Sequence, residues 1–299
     1  MESTIKTVPY ECFSENSNQQ ANGTYLDNVS ADKILMVQDE IYDFYSINLN
    51  KTSFNKIMDV LNGCEAVENE CWNAQEAFVE YAAKSDFLYY AERDGIIAGF
   101  FLVTFFIVDQ CCIISMDEIM VKHSEQGKKL GLKLAITAFR DFDNVESGNK
   151  KFKSISLMSI TPNKKIMNSY FKGSLLTNLR LFDSTFNPSE ELKNIHKKYL
   201  KKVGFSLVEA SHPFFIKNVF PGSNKMDETK ENEISYNKKL QSIIPDGFDP
   251  VKRGDSLCFM LKTNRFLYSI SCLLFMQKTF GFRFWLTKRL GIRPFFKKK

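Results

Sequence analysis

The stretch from Glu118 to Ala135 constrains this chain more than any other, because it passes from a strand through a turn of small and basic residues into a helix. Cys111 to Val121 is largely apolar, as a buried strand requires, and Lys133 to Phe139 carries apolar residues at helical spacing. Between them, Gln126, Gly127, Lys128, Lys129, Leu130 and Gly131 bring together two glycines and two lysines. Amides at such a turn and in the first helical turn have no intrahelical acceptor. Together with the positive end of the helix dipole they form a cradle for an anion such as phosphate.

The neighbouring segments give the cradle a frame. Phe87 to Arg93 and Ile96 to Ile107 read as apolar strands joined by Asp94-Gly95, a pair suited to a hairpin turn in which both central residues take positive φ. Asp109-Gln110 then leads into the strand ending at Val121, so a three-strand antiparallel meander delivers the chain to the basic turn. Beyond the helix, Lys153 to Ile160 reads as a further strand, followed by Thr161, Pro162 and Asn163, with Tyr170 seven residues past the asparagine. Tyr199 precedes a Gly204-Phe205 junction, and Gly254 to Lys262 reads as a last strand.

This order of elements resembles the GNAT superfamily of acyl-CoA-dependent N-acyltransferases, whose cofactor loop reads Gln/Arg-x-x-Gly-x-Gly/Ala after a strand ending in valine. Val121 and Gln126 match that pattern, Gly131 matches its end, and Lys129 stands where its first glycine falls. A lysine held at positive φ costs about 1 kcal/mol. The resemblance spans roughly Asp86 to Lys262 and implies an α/β (α+β) fold, a mixed central sheet flanked by helices. It implies acetyl-CoA or another acyl-CoA as co-substrate, held by Ile119, Met120, Val121, Gln126, Gly127, Lys128, Lys129, Leu130, Gly131 and Leu132, with Asn163 beside the pantetheine arm. Tyr170 is the candidate acid for the departing thiolate, with Tyr199 as its competitor. Glu118 is the candidate acceptor of the amine's proton, and strand alternation places Asp117 on the opposite face.

The implied activity is N-acyl transfer, with N-acetyl transfer the expected form, to an amine acceptor that no sequence feature identifies. The competing class is a non-catalytic acyl-CoA-binding module of the same fold, favoured by Lys129 and by the separation of Tyr170 from the Gly204-Phe205 junction. The three histidines have no metal-ligand spacing, so no metal is expected. The seven cysteines contain no Cys-x-x-Cys and suit a reduced, cytoplasmic setting.

Around this domain, taken as residues 31–263 with insertions at about 171–198 and 211–253, the chain carries two appendages. Residues 1–30 are polar and read as a flexible arm, followed by helical patterns at Asp32 to Tyr45, Ser53 to Leu61 and Trp72 to Ala83, with no first GNAT strand apparent before them. Residues 264–299 hold nine Lys or Arg and no acid, interleaved with nine aromatic residues. The chain's formal charge is +5, so the remainder carries 5 − 9 = −4, and the basicity belongs to the tail. Its longest apolar run, Phe266 to Met276, falls short of the roughly 20 residues a membrane span needs. The tail is therefore expected either to dock on the domain or on a second copy, or to lie on a membrane surface. Nucleic acid is the least favoured partner, because no recognised binding module accompanies it.

Overall fold

The computed structural model describes residues 33–71, 77–146, 152–176, 182–219 and 235–280. Two strands open it, β1 (Ile34–Gln38) and β2 (Asp43–Asn48), where the apolar spacing predicts a helix over Asp32 to Tyr45. That expectation is overturned by the Asp39 turn. The Asp39 carboxylate accepts the amides of Ile41 at 2.8 Å and Tyr42 at 2.7 Å, which reverses the chain and lets β2 pair with β1. The described chain thus opens on a pair of strands. A short 3-10 turn leads into α1 (Met58–Cys71), ten residues beyond the predicted end at Leu61, and α2 (Phe78–Ala82) follows. Of the helix predicted over Trp72 to Ala83, residues 72–76 lie outside the described residues, as does the arm 1–30.

The predicted meander is present as β3 (Phe87–Arg93), β4 (Ile96–Val108) and β5 (Cys111–Val121), each antiparallel to the next. Asp94 and Gly95 take φ of 53° and 77°, the mirror-image turn expected of the pair. The chain then forms α3 (Leu130–Glu146), β6 (Ser154–Thr161), α4 (Lys164–Leu176), β7 (Asp183–Ser184), α5 (Glu190–Val203), β8 (Phe215–Ile216), α6 (Lys238–Gln241), β9 (Ser256–Asn264) and α7 (Arg265–Phe280). The sheet order is β1-β2-β3-β4-β5-β6-β9-β7, with β8 also on β9. Only β5 and β6 pair in parallel, so the fold is a mixed, mostly antiparallel sheet flanked by helices.

Each face of this sheet has its own core. On one, α3 and α7 cover Phe101, Val103, Cys112 and Ile114. On the other, α1 and α2 cover Leu88, Tyr90, Phe100 and Leu102, while α5 covers Phe106, Ile113 and Met158. The helix predicted to precede Gly204-Phe205 is α5, capped at its start by Ser189 and at its end by Gly204 in the left-handed region at φ 75°. Pairing of β7 and β8 with β9 brings both inserted stretches onto the same sheet edge.

Gly99 on β4 locks this arrangement beside the end of β5. A Cβ there would lie 2.7 Å from the Met120 carbonyl oxygen, 3.3 Å from Val121 Cγ2 and 3.4 Å from Leu130 Cδ2. Gly99→Ala is expected to lower stability by about 1–3 kcal/mol, the usual cost of overpacking, as a reduced urea midpoint with unchanged slope.

Candidate functional site

The site begins where two strands separate. β5 and β6 pair in parallel from Cys111 with Ser154 to Met116 with Ser159, and there the ladder ends. Beyond it, β5 continues to Val121 paired with β4, and β6 continues to Thr161 paired with β9. A wedge opens between them. Residues Asp117 to Val121 present to it a strand edge with no partner strand, including the predicted Ile119, Met120 and Val121.

A β-bulge marks the same point. Leu102 on β4 pairs with Glu118 but Val103 pairs with Met116, so Asp117 is an extra residue. The inserted residue changes the expected alternation. Asp117 accepts hydrogen bonds from Ser85 Oγ at 3.2 Å and from the Thr104 hydroxyl, on the face covered by α1, α2 and α5. Glu118 reaches the same face, where it hydrogen-bonds Glu68 of α1. The prediction that Asp117 and Glu118 point to opposite faces is therefore corrected: the bulge aims both to one side.

Their surroundings differ. Glu118 packs against Glu68, and desolvation followed by repulsion from that neighbouring carboxylate raises its pKa well above the usual range. Asp117 instead lines a narrow cleft of about 40 Å³, between the two cores of that face, with Tyr81, Lys84, Ser115, Ile160 and Tyr199. That volume suits a water or an ammonium-sized group. Burial pushes the Asp117 carboxyl up to about 7, opposed by hydrogen bonds from Thr104 and Ser115.

On the other side of the wedge lies Tyr170. Its ring stacks on Phe259 with centroids 4.4 Å apart and planes at 11°, and its hydroxyl hydrogen-bonds Ser159, the last β6 residue paired with β5. Burial raises its pKa, and the Ser159 hydrogen bond works against that. Asn163 caps α4, its side-chain oxygen accepting the Ile166 amide at 3.1 Å, which leaves its amide NH₂ for a further contact. Tyr199 sits across the sheet on α5, packed edge-on against Phe106 at 5.7 Å. The two competing tyrosines thus occupy opposite sides, Tyr170 at the closed end of the wedge and Tyr199 in the wall of the Asp117 cleft.

The predicted anion loop follows β5 directly. Gly127 and Lys129 have φ of 80° and 63°, so the lysine does occupy a glycine-type conformation. Leu130 starts α3, and the first helical bond is from the Lys133 amide to the Lys129 carbonyl at 3.0 Å, so the amides of Leu130, Gly131 and Leu132 come too early for an intrahelical acceptor. A Cβ at Gly131 would sit 3.6 Å from Ile119 Cδ1, an ordinary contact, so internal packing does not by itself require glycine there. The Gln126 side chain donates to the Val121 carbonyl at 3.2 Å, tying the loop to the strand.

Two acids steady this loop, and neither was singled out by its spacing. Glu125 accepts from Tyr42 of the β1–β2 turn, from Arg93 at 3.2 Å and from Lys128 at 2.9 Å, and the Tyr42 hydrogen bond first, then that of Lys128, holds its carboxyl below the usual range. Asp39 pairs with Lys133 at 2.5 Å. Lys128 and Lys133 are therefore neutralised locally, whereas Lys129 has no acidic partner among the described residues. Free amides, two positive-φ residues and one unpaired cation suit a phosphate-bearing ligand.

Among the described residues no group of three or more His, Cys, Asp or Glu is placed to hold a metal ion. A larger groove of about 870 Å³ lies at the opposite end of the sheet, where Lys153, Lys197, Lys198 and Lys201 face Asp109 and Glu191. It is remote from the wedge and shares no residue with it.

No family model matches this chain, and no curated protein matches it by sequence. Solved structures similar to it include N-acetylglutamate synthase from Neisseria gonorrhoeae complexed with coenzyme A and N-acetyl-glutamate, at 12% identity over 74% of this chain and with a TM-score of 0.31. The match spans only 35% of that synthase. Others are an acyl-CoA N-acyltransferase from Pseudomonas aeruginosa (13% identity, 44% of this chain and 86% of the other, TM-score 0.30) and an aminoglycoside acetyltransferase from an uncultured soil metagenomic sample in complex with trehalose (19%, 47% and 89%, TM-score 0.31). At such values these are partial likenesses. The chain itself has a mixed, mostly antiparallel sheet in which β5 parts from β6 and a basic loop follows β5.

Lys129→Gly relieves the left-handed lysine and is expected to raise stability by about 1 kcal/mol, read as a higher urea midpoint. An unchanged or lower midpoint would mean that the lysine side chain is itself held by the fold.

Proposed function

We propose that this protein transfers an acyl group, in the simplest case acetyl, from acyl-CoA to an amine. The observation that carries this reading is the wedge between β5 and β6 with an acid and a base on its two sides: the Tyr170 hydroxyl at Ser159, and the Asp117 carboxylate in the cleft on the opposite face. Acyl-CoA supplies an activated carbonyl. The chain's part is to hold its phosphates at Gly127 to Leu132, to place the thioester along the free edge of β5, and to move two protons. The amine nitrogen bonds to the carbonyl carbon and the carbon–sulfur bond breaks. Asp117 takes the proton from nitrogen, and Tyr170 gives its proton to the departing thiolate. Glu118, the base expected from its position three residues before Val121, is replaced in this role because it is committed to Glu68. Asn163 would reach the cofactor arm through its NH₂ group.

A second reading is a non-catalytic acyl-CoA sensor. It is favoured by Lys129 at positive φ and by the capture of Lys128 by Glu125, both of which weaken the loop as a phosphate site. Thiol release from acetyl-CoA with a panel of small amines, amino sugars and peptides separates the two. Amine-dependent release supports transfer, and binding of acetyl-CoA without release supports the sensor.

Two variants assign the roles. Tyr170→Phe keeps the stacked ring and removes the proton donor, so turnover is expected to fall about 10²-fold with little change in KM, while Tyr199→Phe is expected to change turnover little. The reverse ranking would move the acid to α5. For Asp117, a base is active as the carboxylate, so kcat/KM should rise with pH through about 7, and Asp117→Asn should abolish that limb. Stability moves the other way. The folded carboxyl binds its proton more tightly than an unfolded one, so folding stability declines as pH rises from the ordinary carboxylate range to about 7 and stays reduced above it. Asp117→Asn, neutral throughout, is therefore expected to melt at a higher temperature than the parent at pH 8.

A further inference from the structure

The groove at the far end of the sheet carries charge that the fold does not use. Its floor is apolar, formed by Val108 and Cys111 on either side of the β4–β5 turn and by Ile195 of α5. Along it α5 presents Asn194, Lys197, Lys198 and Lys201, residues three and four apart that share one face of a helix. Lys153, at the entry to β6, adds a further cation from the sheet. Two acids line the groove, and each is already held. The Asp109 carboxylate accepts from Lys198 at 2.8 and 2.7 Å, and Glu191 pairs with Lys262 at 2.7 Å. Lys153, Lys197 and Lys201 have no acidic partner among the described residues. Gathering their charges in one groove of about 870 Å³ costs repulsion that an anionic ligand would relieve.

The spacing and the lining choose among anions. Lys197 and Lys201 are about one helical turn apart, roughly 6 Å along the axis. Alternate residues of an extended peptide lie about 6.6 Å apart with their side chains on one side, so acids at every second position would meet one lysine per turn. No aromatic residue lines the groove, which leaves a nucleotide base no ring to stack on. We propose that the groove is a docking site for an extended acidic peptide segment of a partner protein, with its carboxylates on Lys153, Lys197 and Lys201 and its chain over Val108, Cys111 and Ile195. Asn194 and Ser154 offer neutral hydrogen-bonding groups to its backbone. This inference is independent of the acyl-transfer reading, because the groove shares no residue with the wedge or the Asp117 cleft.

The test is calorimetric titration of the full chain with a blocked synthetic peptide of alternating Glu and Ser, beside the same peptide with Gln for Glu. Only the Glu peptide is expected to bind, and its affinity should fall as salt rises from about 0.1 to 1 M, where the screening length drops from about 10 to 3 Å. A Lys197→Glu, Lys201→Glu double variant, changed at exposed positions, should keep its melting temperature and bind at least about tenfold more weakly. Lys153→Glu, on a different element, should also weaken binding. A Lys238→Glu, Lys239→Glu variant makes the same change of charge on exposed residues of α6, outside the groove, and should bind within about twofold of the parent. Absence of binding by the parent at about 1 mM peptide, equal binding of the Gln peptide, or affinity unchanged in both groove variants would overturn the proposal. So would an equal loss in the α6 variant, which would make the attraction one of net charge, or tighter binding of a short oligothymidylate, which would give the groove to nucleic acid.

Discussion

The extra residue in β5 is the constraint on which the rest of the site depends. Up to Met116, β5 lies hydrogen-bonded between β4 and β6, and after the bulge at Asp117 it follows β4 alone. A bulge bends its strand and increases the local twist, which accounts for β5 leaving β6 just there. Three consequences share this cause: a free strand edge from Asp117 to Val121, a carboxylate turned toward the cleft, and a strand end aimed into the loop that starts α3. Gly99 lets β4 and the start of α3 close against that strand end, and the Glu125 contacts with Tyr42, Arg93 and Lys128 hold the loop from the other side.

The two faces of the sheet divide the work. Beneath α3 and α7 a continuous apolar core runs from β1 to β6. On the opposite face, Ser85, Thr104, Ser115 and Asp117 interrupt the apolar surface between the core under α1 and the core under α5. Burying carboxyl groups there destabilises the folded state at neutral pH, and the raised pKa values of Asp117 and Glu118 express that cost. A polar belt at the point where two strands part is expensive as scaffolding. Groups with pKa values perturbed by burial in a cleft cluster at functional sites.

Local chemistry made part of this legible from the residues alone. Asp94-Gly95 specifies its own turn, the chain from Cys111 to Phe139 specifies a strand, a basic loop and a helix, and Lys129 has the positive φ that its place in the pattern implies. The N-terminal strands are hidden because Ile34, Val37, Ile41 and Tyr45 fall at helical spacing, and what makes them strands is the Asp39 turn and pairing with the sequence-distant β3. The face of Asp117 was hidden for a related reason. Strict alternation holds along a regular ladder, and the shift that breaks it shows only in how β5 pairs with β4. Asp39 becomes the partner of Lys133 only once the β1–β2 turn and α3 are brought together, whereas Glu125 holds Lys128 from three residues away in the chain.

Amide hydrogen exchange with and without acetyl-CoA tests the central claim most directly, because the wedge and the loop make a residue-specific forecast. Ile119 to Val121 and Gly127 to Leu132 should become protected on adding acetyl-CoA, while the lysine-lined groove around Cys111 and Ser154 at the far end of the sheet should not change. Protection confined to that groove, or none at either place, would contradict the account.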